Sequence, residues 1–171
     1  MEIRRLDGPP LPGFDCGREE QNRFFYERAW LDQRQRISTT YLYFLRGMLA
    51  AYATVCMDSL PLGRQERDAD TLYKHVGALK LAQLGVDHRF HRYGFGRYVV
   101  GDIATLAREA GDPLGCRYLT LDAQPELVAW YERQGFVRNR LRQRERRKEA
   151  AVHGRDPDAI AVSMRFDLRE V

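Results

Sequence analysis

At 171 residues the chain matches one domain of the usual ~100–200 residues and can bury a sizeable core. Hydrophobic residues at 44% and charged residues at 30% exclude a disordered chain, and the longest uncharged apolar stretch, Met48 to Met57, is far short of the ~20 residues a membrane-spanning helix needs. The net charge of +4 is a local matter: Arg138, Arg140, Arg142, Arg144, Arg146, Arg147 and Lys148 stand against one acid, Glu145, a +6 segment that leaves −2 for the rest.

The N-terminus runs from Met1 to Pro9 and Pro10 without an apolar core, which reads as no secretory signal. Cys16, Cys56 and Cys116 are odd in number and far apart, with no Cys-x-x-Cys spacing. Reduced thiols in a cytoplasm are the expectation, rather than a disulfide framework or a zinc ribbon.

Pro9, Pro10, Pro12 and Gly13 make a stiff, irregular lead-in. Arg18 to Arg36 then reads as a helix, with Phe25, Ala29 and Trp30 on one face and Glu19, Arg23, Glu27 and Arg34 toward solvent. Thr39 to Leu45 is rich in β-branched and aromatic residues, and Arg46-Gly47 turns it into a second strand, Met48 to Met57. Gly63 to Asp70 is a charged loop. Ala78 to Val86 reads as a strand whose facing pattern slips partway, from Leu79 and Leu81 to Leu84 and Val86, as a β-bulge produces.

The period changes after Gly94-Phe95-Gly96. Val99, Val100, Ile103, Leu106 and Ala107 recur at helical spacing up to Ala110, with Gly111 placed as a left-handed cap and Pro113 beyond it. Arg117 to Leu121 is a short strand. Pro125 suits the first residue of another helix through Tyr131 to Gln134, capped by Gly135. Phe136 onward and Ile160 to Leu168 read as the last strands, and the alternate arginines from 138 to 146 would line one face of a strand. The order of elements predicts an α/β (α+β) domain over residues 1–171, a mixed sheet with helices on its faces and a bulged central strand.

The strand Leu81–Val86, the loop Asp87 to Tyr93 and the turn Gly94-Phe95-Gly96 form a strand–glycine turn–helix unit. Unpaired N–H groups and the dipole at a helix N-terminus favour an anion, and glycines let a ligand approach the backbone. Arg89, Arg92 and Arg97 flank the turn and could add charge-assisted contacts. The glycines alone also fit a tight turn or close helix–sheet packing.

Val86-Asp87-His88-Arg89-Phe90-His91-Arg92-Tyr93-Gly94-Phe95-Gly96-Arg97 resembles the acetyl-coenzyme A signature of the GNAT N-acetyltransferases. Leu127-Val128-Ala129-Trp130-Tyr131-Glu132-Arg133-Gln134-Gly135-Phe136 resembles that family's second signature, an aromatic-Tyr pair followed by Gly-Phe. The two lie in register across Ala78 to Phe136. At the N-terminus, Phe14-Asp15-Cys16-Gly17, with Phe24, Phe25 and Ala29 after it, is similar to the opening of the GNAT-type toxins, as is Leu84-Gly85-Val86-Asp87 before the turn. Those toxins are encoded beside a ribbon–helix–helix antitoxin and acetylate the amino group of aminoacyl-tRNA. Phe14 to Gly17 also reads as a hydrophobic staple and turn before the first helix.

The resemblance implies a GNAT-like, mostly antiparallel sheet and direct acetyl transfer to a primary amine. It implies acetyl-CoA as cosubstrate, no metal, and coenzyme contacts at Leu84, Val86, His91, Arg92, Tyr93, Gly94, Gly96, Arg97 and Gln124. His91 departs from the family's Gln or Arg, and Gln83 stands where the toxins commonly have Arg. Tyr131 is the implied acid that protonates the leaving thiolate; its other role is a core aromatic beside Trp130. Ala78–Val86 carries no carboxylate, only Lys80 and Gln83, which leans toward an α-amine acceptor (pKa ~7.7–8.0) over a lysine (~10.4), with Asp122, Glu126 and His88 as other candidate bases.

Arg138 to Lys148 reads either as a surface tracking a nucleic-acid backbone or as a solvated segment paired with acids such as Asp156 and Asp158. Expected partners are therefore acetyl-CoA, an amine acceptor such as charged tRNA, a ribbon–helix–helix antitoxin and a second copy of the chain, with no membrane. Two other functions stay open: acetylation of a small-molecule amine or protein α-amine, and a catalytically silent module that binds an anionic partner.

Overall fold

In the computed structural model, which describes residues 1–170, the strands are β1 (Glu2–Arg5), β2 (Thr39–Leu45), β3 (Met48–Pro61), β4 (His75–Val86), β5 (Tyr118–Ala123), β6 (Val137–Arg138) and β7 (Val162–Asp167). The helices are α1 (Glu19–Arg23), α2 (Ala29–Arg34), α3 (Phe95–Leu114), α4 (Val128–Glu132) and α5 (Arg140–Val152). The strand order is β1-β2-β3-β4-β5-β7-β6, and β1–β2, β2–β3, β5–β7 and β6–β7 pair antiparallel. This is the mixed α/β class expected from the sequence. The chain divides into two compact units, residues 1–56 with 81–106 and residues 57–80 with 107–170.

In the first unit, α1 and α2 are joined by a π-helical turn, Phe24–Arg28, so the expected helix is present with a widened middle. Phe25 and Ala29 are buried and Trp30 packs against the same cluster, which also holds Leu6, Phe14, Cys16 and Tyr52. The Phe25 and Tyr52 rings stack at 4.7 Å. Arg46 and Gly47 have φ of 50° and 79°, the left-handed pair that matches a two-residue hairpin to strand twist. The β2–β3 register shifts between Tyr43 and Phe44. The Tyr43 hydroxyl donates to Asp102 of α3 at 2.8 Å.

In the second unit, β5 runs along β7 from Tyr118↔Asp167 to Ala123↔Val162. Along β4, neighbouring Ala78 and Leu79 are both buried, so strict alternation fails there. Leu60, Leu62, Ala78 and Tyr118 form a core cluster. Pro125 opens a short 3-10 turn before α4, and Gly135, with φ of 89°, follows as expected.

Two expectations are corrected. The left-handed residue after α3 is Gly115, with φ of 74°, and the helix continues through Gly111 and Pro113. Gly111 serves close approach instead: a Cβ there would lie 2.6 Å from the Cys116 carbonyl oxygen. The arginine run is not a strand. Only Val137–Arg138 pair with β7, and Arg140–Val152 is a helix. From Arg140 to Ala151 it contains no Gly, Pro or β-branched residue, and its Arg, Leu, Gln, Glu, Lys and Ala are all strong helix formers. That composition overrides the alternation of the arginines.

Candidate functional site

The first unit holds the glycine turn. At the end of β4, Asp87 is fully buried, and its carboxylate accepts from Arg89 N–H (3.0 Å), Arg89 Nε (2.7 Å) and Nη2 (2.9 Å), and Asp15 N–H (3.1 Å). Burial alone would raise its pKa, but the hydrogen bonds from Arg89 and the backbone outweigh it and hold the group down at about 2. Arg89 also donates to the Gly13 carbonyl at 3.1 Å. It is therefore a clamp between two segments, not a free phosphate ligand as its place beside the turn predicts.

Phe14-Asp15-Cys16-Gly17 is the other half of this clamp. The Asp15 carbonyl accepts from His88 N–H at 2.8 Å, while its side chain accepts from Gly17 N–H (2.8 Å) and Asn22 (2.6 Å). Asn22 in turn accepts from Cys16 N–H at 3.0 Å. Phe14 packs 5.5 Å from Tyr52, and a Cβ on Gly85 would meet that tyrosine ring at 2.5 Å. The two toxin-like stretches, Phe14–Gly17 and Leu84–Asp87, thus meet in space. Either sequence signal alone gives no hint of that pairing beyond the acid each contains.

Beyond the clamp the backbone reverses through His91 to Gly94. The His91 Nε2–H donates to the Val86 carbonyl at 2.8 Å, closing the turn onto the strand end. Arg92 and Gly94 have positive φ, 68° and 79°. Arg92 is thus one of only three non-glycine residues with positive φ among the described residues. Left-handed residues within a turn direct backbone N–H groups toward a common concavity, the geometry that takes an anion. The first backbone bond of α3 runs from Tyr98 N–H to the Gly94 carbonyl at 3.0 Å, so the N–H groups of Phe95, Gly96 and Arg97 precede the ladder. No acid lies in the first turn of α3 to compete for them, and a Cβ at Gly94 would meet nothing within 4 Å. The residues fit a pyrophosphate. Leu84 and Val86 are half-buried, and Arg92, Tyr93 and Arg97 are exposed around this turn.

The second unit carries Tyr131 and Gln124. Gln124 precedes the Pro125 turn, its carbonyl accepting from Leu127 N–H at 2.8 Å. Tyr131 on α4 is 7% exposed, with its ring edge-on to Trp130 at 4.7 Å and to Phe136 at 5.6 Å. The Tyr131 carbonyl accepts from both Gln134 and Phe136 N–H groups, which fixes the Gly135-Phe136 bend to the tyrosine. The Trp-Tyr-x-x-x-Gly-Phe spacing is therefore one packed aromatic unit.

Sequence reasoning placed Asp122 among candidate bases and left Asp58 and Glu66 unassigned. All three brace α5. Arg142 pairs with Asp58 at 2.7 Å, Arg146 pairs with Asp122, and Lys80 joins Asp122 at 2.7 Å. The Glu66 carboxylate accepts from Arg140 N–H (2.7 Å), Leu141 N–H (3.1 Å) and Arg165 (3.0 Å), capping α5 from the charged loop. Burial pushes these carboxyls up, but the arginines and backbone N–H groups prevail and hold all three below their ordinary values. Asp122 is thus a poor base. His88 points its Nδ1–H at the Asp15 carbonyl, 3.0 Å away.

No protein-family model matches the chain, and no curated protein matches it. Solved structures do. The architecture is that of the GNAT-type toxins of toxin–antitoxin pairs. A bacterial toxin crystal structure superposes with a TM-score of 0.76 at 21% identity, over 99% of this chain and 92% of that one. A tyrosine-to-phenylalanine mutant of the toxin AtaT, bound to the C-terminus of the antitoxin AtaR and to acetyl-CoA, gives 0.72 at 18% identity, over 99% and 94%. AtaT complexed with acetyl-methionyl-tRNAfMet gives 0.70 at 20% identity, over 80% and 87%.

Proposed function

We propose that the chain is an acetyl-CoA-dependent N-acetyltransferase that passes acetyl directly to the α-amine of an aminoacyl-tRNA. The observation that carries this reading is the turn from Val86 to Gly96, where left-handed Arg92 and Gly94 open a long helix whose first turn holds no competing acid. The coenzyme supplies a thioester. The amine nitrogen, its proton passing to solvent water, bonds to the acyl carbon; the carbon–sulfur bond breaks and Tyr131 protonates the departing thiolate, to be reprotonated from solvent.

Direct transfer is supported by the thiols. Burial pushes Cys16 and Cys116 up, the opposite of an activated nucleophile. The α-amine is supported by the absence of a carboxylate on β4 and by Lys80 and Asp122 being spent on each other. An α-amine is partly neutral at pH 7 and needs little help to lose its proton. The solved neighbours that carry acetyl-CoA, an acetylated aminoacyl-tRNA and an antitoxin favour the same acceptor, and a small antitoxin as partner. Among the described residues no helix is long and apolar enough to cross a membrane.

Radiolabelled acetyl-CoA offered with aminoacyl-tRNA, deacylated tRNA, free amino acids and a peptide tests this. Label should enter aminoacyl-tRNA and be released as N-acetylamino acid when the ester is hydrolysed. Label in the peptide or free amino acid alone would move the acceptor to a protein or small-molecule amine. No transfer to any would leave a silent binding module.

A further inference from the structure

We infer that the outer face of α5 is a docking surface for the phosphate backbone of a folded RNA, and that it divides the arginine run into struts and ligands. The inference deepens the acceptor reading above and rests on it for the choice of RNA.

At 3.6 residues per turn, Arg140, Arg144, Arg147 and Lys148 fall within roughly a 100° arc of the helix, while Glu145 lies beyond its edge and Glu149 on the opposite side, beside Arg142. All four cations are exposed. Arg142 and Arg146 project to the other side and are consumed by Asp58 and Asp122. Arg138 and Arg147 meet only exposed partners, Glu132 at 2.9 Å and Asp158 at 2.8 Å, and Asp158 is 78% exposed. Among the described residues the side chains of Arg140, Arg144 and Lys148 have no acidic partner; Arg140 meets Glu66 only through its backbone N–H. The stripe borders an open depression of about 570 Å³, lined also by Gln143, Ala151 and Pro157. A second depression, with Arg64, shares Arg140 and Arg144.

This arrangement works against the helix that carries it. Arg140–Arg144 and Arg144–Lys148 are like-charge pairs at i,i+4, each unfavourable by about 0.2–0.5 kcal/mol. Arginines crowd the first turn, where the dipole disfavours cations, and the last turn has no basic residue. Glu66, the struts and the buried Ala150 hold the helix in place despite that. Folding gains little from the charge on the outer cations, which points to an anion brought from outside. Cations one turn apart, about 6 Å along the axis, suit the regular phosphates of a nucleic-acid strand, and arginine's planar fork suits each phosphate. A carboxylate peptide would meet the same charge without that regularity.

The test is fluorescence anisotropy with a labelled, non-acylated tRNA-sized RNA and no acetyl-CoA, at several salt concentrations. Wild type should bind, and Arg140→Gln/Arg144→Gln/Lys148→Gln should weaken binding at least tenfold and flatten the log–log salt slope by roughly 2–3 units, about 0.7–0.9 per lost phosphate contact. Because those side chains are exposed, circular dichroism should be unchanged; Arg144→Glu alone, a milder change, should weaken binding severalfold. Acetylation of a small amine, if detected in the wild type, should persist in these variants. No wild-type RNA binding at low salt, an unchanged slope in the triple variant, or equal competition by polyglutamate of matched charge would overturn the proposal. Loss of acetyl transfer with RNA binding intact would instead strike the catalytic reading alone.

Discussion

On the reading proposed above, the glycine turn of the first unit and helix α5 of the second would each meet an anion, in opposite ways. The turn is shaped by backbone: Arg92 and Gly94 adopt left-handed conformations, Asp87 is clamped beneath, and N–H groups supply the charge. Helix α5 is shaped by side chains: a buried acid caps it, two arginines anchor it, and the remaining cations face solvent. A backbone site is lost when bulk or negative charge stands in the path of the anion. A side-chain surface tolerates single losses and answers to salt.

The largest single-residue effect on chemistry should fall outside both. Tyr131→Phe keeps the ring and its packing on Trp130 and Phe136 but removes the proposed acid. Turnover should drop about 10²–10⁴-fold with acetyl-CoA affinity near wild type. A loss within a few-fold would return Tyr131 to a packing role, and steady-state kinetics beside calorimetry separate the two.

Next come the two kinds of arginine on α5. Arg142→Ala strands the largely buried Asp58 and should cost about 3 kcal/mol in urea unfolding, toward the low end for breaking a buried pair. Arg144→Ala should change stability by less than about 0.5 kcal/mol, as exposed substitutions do. Equal costs would erase the distinction between struts and ligands.

How much of this was legible in the sequence follows the same division. The turn was readable because glycine spacing and a strand ending in Val-Asp report backbone geometry directly. The same holds for Arg46-Gly47, Pro125 and Gly135. The pairing of Asp15 with Asp87, separated by 72 residues, was invisible because it is a tertiary contact between two short stretches. Arginines at alternate positions of α5 mimic a strand face, although the helix formers from Arg140 to Ala151 favour the helix that forms. Glu66 looked like one more loop charge; only the fold reveals that it caps a helix 74 residues further on. Gly111 with Pro113 beyond it mimics a helix end one turn early, but α3 runs through both to Leu114.

The smallest expected effect is in acid. Asp58, Glu66, Asp87 and Asp122 have pKa values below those of an unfolded carboxylate, about 3.9–4.3, so the unfolded chain binds protons first. Their contribution is complete above that range and lost as pH falls through the folded values, which for Asp87 extends to about 2. Stability should be level from pH 7 to about 5 on their account and decline below about 4. Asp87→Asn should start less stable and decline less steeply between about pH 4 and 2. A parallel decline would show that Asp87 does not titrate in that window.

The central claim is that backbone N–H groups at the start of α3 receive the coenzyme's phosphates. Calorimetric titration of acetyl-CoA into wild type and Gly96→Asp tests it most directly, because the new carboxylate puts bulk and negative charge where an anion must approach the helix dipole. Wild type should bind, and the folded variant should show no measurable heat. Equal affinity in a folded Gly96→Asp protein would contradict the claim and place the phosphates elsewhere.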